Sequence, residues 1–262
     1  MIPMNKIFRI AALLLLLILF AGCAGKRPGA WMAENHLALG EPVPCDQIIA
    51  REGYSAGYSY EKRQALWVSY VLKKEDIARG RKRSNIFLAD PQIVHAPVQP
   101  EEYKFTGFDR GHLAPAADMV RSKRVMDESF YMSNSVPQFP ECNRKYWLEA
   151  EKIVRSAARR EGMVYVITGP YFSGKRGKSI SDPPIPVPDG FFKAVLDLTP
   201  PYKMIGFYVP NVMKNGKMQI LSVDDLEKLT GYDFFNALDC WTEYQLESSV
   251  DVSSWGWEES GM

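Results

Sequence analysis

Histidine and cysteine, two residue types that commonly bind zinc, are scarce in this chain of 262 residues, which has three histidines and four cysteines. No two cysteines have the close spacing of a zinc finger, so a structural zinc site is not expected. The chain also has no internal repeat and no low-complexity domain. Its composition, 46% hydrophobic and 24% charged residues, is typical of an ordinary globular protein, and its length is compatible with a single α/β or α+β domain.

Long apolar runs are limited to one stretch near the N-terminus. Residues 11–20 are apolar, but they are fewer than the ~20 residues that a membrane-spanning helix needs. Lys6 and Arg9 precede this run, and two small residues and Cys23 follow it. The segment resembles a bacterial lipoprotein signal, in which Cys23 is lipidated and becomes the first residue of the mature chain. A simple secretory signal is the alternative.

This interpretation divides the chain into three parts. We expect residues 1–22 to be a signal peptide, residues 23–50 a lipidated N-terminus and tether, and residues 51–262 the folded domain. The tether is expected because its first residues are glycine, proline and basic residues, which offer little surface to bury. A lipid anchor would place the protein in the bacterial cell envelope. Ala24 after the cysteine favours the periplasmic side of the outer membrane, with a secreted form as the alternative.

The mature chain has no excess of positive charge. Removal of Lys6 and Arg9 with the signal segment changes the formal net charge from +1 to −1. A partner such as nucleic acid would therefore have to meet basic residues concentrated locally. Clusters of this kind occur at 79–83, 155–160 and 175–178, although each alone is more often a solvated surface.

Residue patterns predict an α+β fold in which a mixed or antiparallel central sheet is flanked by helices. Runs rich in β-branched and aromatic residues predict strands at 66–72, 164–168, 191–198 and 203–209. Shorter strands are predicted at 104–108 and 130–134. A long helix is predicted over 143–160 and a short one over 223–230, where Gly231 would end it.

The motif Asp109-Arg110-Gly111-His112 follows the strand predicted at 104–108. Histidine titrates near neutral pH and is therefore a common general base. The alternative is structural, with Asp109 paired to Arg110 and His112 buried in a core. The other two histidines, His36 in the tether and His95 in a proline-rich stretch, are not expected to be catalytic.

A second set of residues recurs at four-residue intervals along the long predicted helix. It consists of Asn143, Trp147, Glu151 and Arg155. In an uninterrupted α-helix Asn143 and Glu151 would differ by about 80° around the axis, so they would share one site only through a water or a hydrated metal ion. The alternative is an exposed helix face with a Glu151–Arg155 ion pair, which does not explain an asparagine at the helix start beside a tryptophan.

Together these residues make the chain similar to the DNA/RNA non-specific endonucleases, whose core is the ββα-metal, or His-Me, finger. The matching residues are Asp109 to Ala116, Tyr131 to Asn134, Pro137, Gln138, Asn143, Trp147, Glu151 and Arg155. With the predicted strands, the resemblance covers about residues 58–232.

The resemblance implies a role for each matching residue. His112 would be the general base, and Asn143 the single protein ligand of Mg²⁺, or of Mn²⁺ or another divalent cation. Glu151 would hold the water shell of the metal, and Asn134 would orient His112 or the substrate. Arg110 and Arg155 would contact phosphate, and Arg83 is a further candidate for that contact.

Phosphodiester hydrolysis needs these same chemical groups. A base activates water, while a metal ion and arginines relieve negative charge at the phosphorus and at the departing 3′ oxygen. The predicted activity is hydrolysis of DNA and RNA to 5′-phosphate ends without sequence preference, because contacts to phosphate carry no sequence information. The alternatives are an envelope lipoprotein that binds nucleic acid or a partner without catalysis, and a phosphodiesterase for small molecules.

Three cysteines remain in the mature chain besides Cys23, so one disulfide is possible in an oxidising compartment. They are Cys45, Cys142 and Cys240. Because a disulfide at Cys142 could distort the adjacent metal site that the resemblance implies, we favour a Cys45–Cys240 pair, with the other pairings open.

Overall fold

A computed structural model of the protein describes residues 25–33, 35–78, 80–174 and 177–256. The predicted signal peptide, Cys23, Arg79, Lys175 and Arg176 lie outside the described residues. Among the helices in the described ranges, none is long and apolar enough to span a membrane.

The chain alternates strands and helices as an α+β protein. The strands are β1 (Gln47–Ala50), β2 (Ser55–Ser59), β3 (Gln64–Lys73), β4 (Asp109–His112), β5 (Ser135–Gln138), β6 (Met163–Tyr171), β7 (Gly190–Asp197), β8 (Met204–Pro210) and β9 (Gln219–Leu221). The α-helices are α1 (Lys74–Ile77), α2 (Lys123–Glu128), α3 (Leu148–Glu161), α4 (Val223–Thr230) and α5 (Cys240–Glu247). A π-helical turn (Cys142–Trp147) leads into α3, and 3₁₀ turns occur at Ala30–Ala33, Pro100–Tyr103, Met132–Asn134 and Val252–Trp255.

Seven strands form the central sheet, in the order β1-β2-β3-β6-β7-β8-β9. Every neighbouring pair is antiparallel, so the sheet takes the antiparallel form of the predicted fold. Successive side chains point to opposite faces, as in β7, where Phe191 packs into one core and Phe192 into the other. The sheet therefore separates two hydrophobic layers.

The segment between β3 and β6 builds the first layer, and the last third of the chain supplies much of the second. Strands β3 and β6 are hydrogen-bonded neighbours, yet residues 74–162 intervene between them. That insertion carries β4, β5 and α3 and packs over the Phe191 face of the sheet. Helix α4 buries Val223 and Leu226 against the Phe192 face.

The main predicted strands and the short helix are confirmed. The runs at 66–72, 164–168, 191–198 and 203–209 correspond to β3, β6, β7 and β8. They were recognisable because their side chains are buried on both faces of the sheet. Helix α4 occupies residues 223–230 as predicted, and Gly231 ends it with a left-handed φ of 73°.

Two short predicted strands are wrong. Residues 104–108 are irregular, because Phe105 and Gly107 adopt positive φ angles of 62° and 82° that an extended strand does not allow. The strand is instead Asp109–His112, the motif itself. Residues 130–134 end in the 3₁₀ turn, and the strand begins one residue later at Ser135.

The prediction of a tether over residues 23–50 is also wrong for residues 25–33 and 35–50, which the structure describes. Met32 and Leu39 are buried in the core of the Phe192 face, and β1 is an edge strand of the sheet. The His36 ring binds the backbone of both Val71 and Glu52, which attaches this segment to β3. Only the start of the segment is rich in glycine and proline. The apolar residues that follow pack against residues far along the chain.

The prediction of a Cys45–Cys240 disulfide is wrong as well. Cys45 is a free, partly buried thiol. Burial raises the pKa of this thiol, so the protonated form is favoured. Cys142 is a free, fully buried thiol in the core beside the π-helical turn, where it behaves as a small apolar side chain.

The packing of residues 25–50 can be tested by truncating Leu39, which is completely buried. We expect Leu39→Ala to lower the free energy of unfolding by roughly 2–5 kcal/mol, as for other buried leucines. The measurement is urea-induced unfolding followed by tryptophan fluorescence. Ile86→Ala is the control, because Ile86 is 64% exposed and its change should stay within about 0.5 kcal/mol. Equal, small effects of the two changes would mean that the segment does not contribute to the core.

Candidate active site

Strands β4 and β5 form a separate two-stranded sheet, and the π-helical turn and α3 follow it along the chain. In this hairpin Gly111 lies opposite Val136, and His112 opposite Ser135. A side chain at position 111 would place its Cβ 1.9 Å from Oε1 of Gln138, so only glycine fits. The sequence motif therefore forms one arm of a ββα unit that holds His112 at its end.

His112 is almost completely buried between aromatic rings. Its ring centroid lies 5.2 Å from that of Phe87 and 4.8 Å from that of Phe130. Its Nε2 is buried and has no hydrogen-bond partner among the described residues. Burial, with a smaller contribution from the positive charges of Arg83 and Arg110, lowers the pKa of His112 to about 3. The imidazole is therefore neutral, and able to accept a proton, at neutral pH.

Asn143 lies in the π-helical turn, which widens the helix at this point. The α-helical offset of about 80° between Asn143 and Glu151 therefore does not apply here. The Asn143 Nδ2 donates to Oδ2 of Asp109 at 2.9 Å. Asp109 is held in turn by Arg144 through two hydrogen bonds of 2.7 and 2.8 Å. This contact fixes the amide so that its oxygen remains available as a ligand.

Glu151 and Arg155 belong to a charged cluster that is largely buried. The alternative interpretation, in which the two residues form an ion pair on an exposed helix face, is therefore wrong. The Arg155 Nη1 lies 2.7 Å from Oδ1 of Asp118, and its Nη2 lies 3.7 Å from Oε2 of Glu151. Tyr70 donates to the other Asp118 oxygen at 2.9 Å. Burial raises the pKa of Glu151 to about 7, although the charges of Lys193 and Arg155 favour its ionised form.

Lys193, on β7, is a fully buried lysine beneath this cluster. Its Nζ lies 4.1 Å from the centre of the Trp147 ring and donates to Oγ1 of Thr168 at 3.2 Å. Burial lowers the pKa of Lys193 to about 8, against the opposing influence of the Glu151 and Asp118 charges. The charges of Lys193 and Glu151 influence each other, and titratable groups with displaced pKa values are common at functional sites.

The predicted site residues meet at one open pocket of about 260 Å³. It is lined by Arg83, Arg110, His112, Pro115, Ala116, Ala117, Asn143, Arg144, Leu148, Glu151 and Arg155. Arg110 does not pair with Asp109; its guanidinium lies over the Phe87 ring at 4.3 Å. In that position the N–H groups of Arg110 are available to donate hydrogen bonds to a molecule in the pocket.

A neighbouring pocket brings together two of the basic clusters seen in the sequence. It shares Arg83 and Arg155 with the first pocket and adds Arg81 and Arg159 to its lining. The expected local concentration of positive charge therefore exists, and it adjoins His112.

Asn134 is the one predicted site residue that lies outside this pocket. Its side chain accepts from the Ala114 amide at 2.9 Å and donates to the carbonyls of Ala114 and Ser129 at 2.9 and 2.8 Å. These contacts are to the backbone of the loop that follows His112 and of Ser129, and the predicted role of Asn134 in orienting His112 or the substrate stays a prediction.

Sequence reasoning missed four residues of the site. They are Phe87, Asp118, Arg144 and Lys193. Arg144 neighbours Asn143 and could have been found as a partner for Asp109. Phe87 and Lys193 come from distant parts of the chain, and Asp118, six residues after His112, pairs with the distant Arg155. Only the lysine within the apolar run of β7 gave any signal.

Comparison with known proteins agrees with this geometry. A nuclease of Syncephalastrum racemosum is 33% identical over 79% of this chain and 73% of its own length. A nuclease of Nostoc is 29% identical over 82% of this chain and 86% of its own length. Bovine mitochondrial endonuclease G is 37% identical over 57% of this chain and 54% of its own length.

The fold is shared with a solved structure as well. A chain from the crystal structure of the EndoG/EndoGI complex superposes with a TM-score of 0.72 at 25% identity, covering 80% of this chain and 94% of that one. The family model described as DNA/RNA non-specific endonuclease matches residues 33–240. With its ββα unit and its neutral buried histidine beside a basic surface, the chain belongs to the DNA/RNA non-specific endonuclease family.

Proposed function

We propose that this endonuclease cleaves DNA and RNA by a water molecule that His112 deprotonates, at a phosphate held by arginines and a hydrated Mg²⁺ on Asn143. The observation that carries the proposal is the convergence of three groups in one pocket. These are a neutral imidazole, an asparagine whose amide nitrogen is held by Asp109, and a half-buried glutamate. Binding without catalysis would require none of this arrangement.

His112 is suited to be the base because of its surroundings. Its lowered pKa keeps the ring unprotonated at neutral pH. Since Nε2 is sealed from solvent, we assign proton acceptance to Nδ1. The proton moves from the attacking water to this atom, and attack opposite the departing 3′ oxygen leaves a 5′-phosphate and a 3′-hydroxyl.

Asn143 and Glu151 fit a hydrated Mg²⁺ better than a metal enclosed by protein. Mg²⁺ prefers oxygen ligands and keeps several of its waters, so one amide oxygen and one nearby carboxylate suffice. When bound, the ion would offset negative charge on the phosphate and the departing oxygen. Glu151 would accept hydrogen bonds from the ion's waters, and it does so best when ionised.

The arginines divide into two groups by their contacts. Arg110 and Arg83 line the pocket and are suited to bind the cleaved phosphate. Arg155 is already paired with Asp118, so its main role is to hold Glu151 in place. The adjoining basic pocket would follow the sugar–phosphate backbone, which explains action without sequence preference.

The function is tested by incubating the purified full-length protein with plasmid DNA and with RNA while Mg²⁺ is varied. We expect His112→Ala to lower the cleavage rate by roughly 10²–10⁴-fold, the usual contribution of a general base. Asn143→Ala should lose activity at limiting Mg²⁺. His95→Ala is the matched control, since His95 is exposed and remote from the pocket. Cleavage by His112→Ala at the rate of the control would refute His112 as base.

The position of Lys193 beside Glu151 leads to a prediction about the pH dependence of cleavage. Its charge favours the ionised form of Glu151, so Lys193→Met should raise the pKa of that carboxyl. Because Glu151 acts when ionised, the acid limb of kcat/KM should move to higher pH, with activity lost near pH 7 and recovered in alkaline buffer. His112 does not set this limb, since its pKa of about 3 is far lower.

The control for that experiment is Thr168→Val, which removes the hydroxyl bound to Lys193 but keeps the charge. Its acid limb should coincide with that of the unmodified protein. A uniform loss of activity in Lys193→Met, with an unmoved acid limb, would mean that the lysine serves packing alone.

We further propose that the mature enzyme is anchored through a lipid on Cys23, on the periplasmic side of the outer membrane. Support comes from the N-terminal sequence, whose charged start, short apolar run and small residues before Cys23 are typical of lipoprotein signals. Cells grown with labelled palmitate should label the protein, and Cys23→Ser should remove the label while Cys45→Ser retains it. Persistent label on Cys23→Ser would exclude this anchor.

A further inference from the structure

A second group of acidic residues lies on the opposite side of the sheet from His112. Helix α4 packs on the Phe192 face, whereas the ββα unit packs on the Phe191 face. One carboxylate oxygen from each of Asp224, Glu227 and Glu247 lies within 4.8 Å of the other two. Helix α4 provides the first two residues and helix α5 the third.

Glu247 is the unusual member of this group. It is 3% exposed, and its Oε1 is buried without a hydrogen-bond partner among the described residues. A buried carboxylate oxygen without a partner is costly, and it is usually satisfied by a donor, a water or an ion. Glu243, one turn earlier on α5, also has a buried, unpartnered Oε1.

The charges around Glu247 are of one sign. Its electrostatic neighbours are Glu227, Glu243, Asp224 and Asp233, all acidic. The lysine of α4, Lys228, is exposed and bound to Asp225 at 2.9 Å, on the outer side of the helix. Among the described residues no ion pair reaches the carboxylates of Asp224, Glu227 or Glu247, although the charge of Lys228 also interacts with Asp224 and Glu227 from a greater distance.

Burial and this mutual repulsion raise the pKa of Glu247 to about 10 and those of Glu227 and Glu243 to about 7.

The ligands are also held in place before any cation binds. Glu227 accepts a hydrogen bond from the Phe234 amide at 2.6 Å through Oε1. Ser222 caps the start of α4 by accepting from the Asp225 amide. Binding would thus not require the helix carrying two ligands to fold or move.

We propose that Asp224, Glu227 and Glu247 form a structural Ca²⁺ site that joins α5 to α4. The donors are carboxylate oxygens, which suit Ca²⁺, whereas zinc sites normally include histidine or cysteine. Ca²⁺ binds oxygens at about 2.3–2.6 Å, so ligand oxygens across the ion are up to about 5 Å apart, which matches the spacing seen here. Water would complete the coordination.

The test is Ca²⁺ titration of the full-length protein by isothermal calorimetry. Glu247→Gln should bind one Ca²⁺ fewer per chain, or bind it roughly tenfold more weakly or worse, since affinity depends on ligand charge. Asp225→Asn is the matched control, because Asp225 neighbours Asp224 but pairs with Lys228; it should bind as the unmodified protein does.

Thermal unfolding supplies the second measurement. Ca²⁺ should raise the Tm of the unmodified protein and of Asp225→Asn, and raise that of Glu247→Gln less at the same Ca²⁺ concentration. Without Ca²⁺, Glu247→Gln should melt no lower than the unmodified protein, because it replaces a buried acid by a neutral amide. If Glu247→Gln does not fold, Glu227→Gln is measured in the same way.

Unchanged Ca²⁺ stoichiometry and affinity in the folded variant, or no Ca²⁺ binding by the unmodified protein, would overturn the proposal. The comparison between variants does not depend on Asn143 being a metal ligand. Plasmid cleavage by Glu247→Gln in Mg²⁺ should remain at the level of the unmodified protein, which separates this site from the nuclease site.

Discussion

Trp147 holds the active site together, because it connects the three parts from which the site is built. Its indole nitrogen donates to the backbone oxygen of His112 at 3.1 Å, which ties the helix to the strand that carries the base. Its ring packs against Phe191 of the sheet and covers Lys193. The relative placement of the imidazole, the helical residues and the buried lysine therefore depends on one fully buried side chain.

Burial then sets the chemistry of the groups that Trp147 brings together. Removal from water disfavours the charged form of each group, so it lowers the pKa of His112 and Lys193 and raises that of Glu151. The consequences differ because the neighbours differ. His112 has only positive neighbours and remains neutral, whereas Glu151 and Lys193 face each other and favour each other's charge. One physical cause thus keeps His112 neutral and displaces the pKa values of Glu151 and Lys193 beside the same pocket.

Electrostatic attraction of the substrate is local rather than global. Residues 23–262 have a formal net charge of −1, because Lys6 and Arg9 are removed from a chain of +1, yet Arg81, Arg83, Arg155 and Arg159 converge on two adjoining pockets. A separate acidic cluster lies on the other face of the sheet, around Glu247. The antiparallel sheet keeps these two charged regions apart, so the acidic cluster does not cancel the field at the nuclease site.

The sequence by itself determined the parts of this protein that depend on local pattern. Strands β3, β6, β7 and β8 were recognisable because both of their faces are buried, and α4 because Gly231 ends it. The family, His112 and Asn143 followed from residue types at fixed spacing along a short segment. Contacts between distant residues were decided only by the tertiary structure. The burial of Leu39, the backbone contacts of Asn134, and the presence of Lys193 and Asp118 at the site depend on partners many residues away, and no local period encodes such partners.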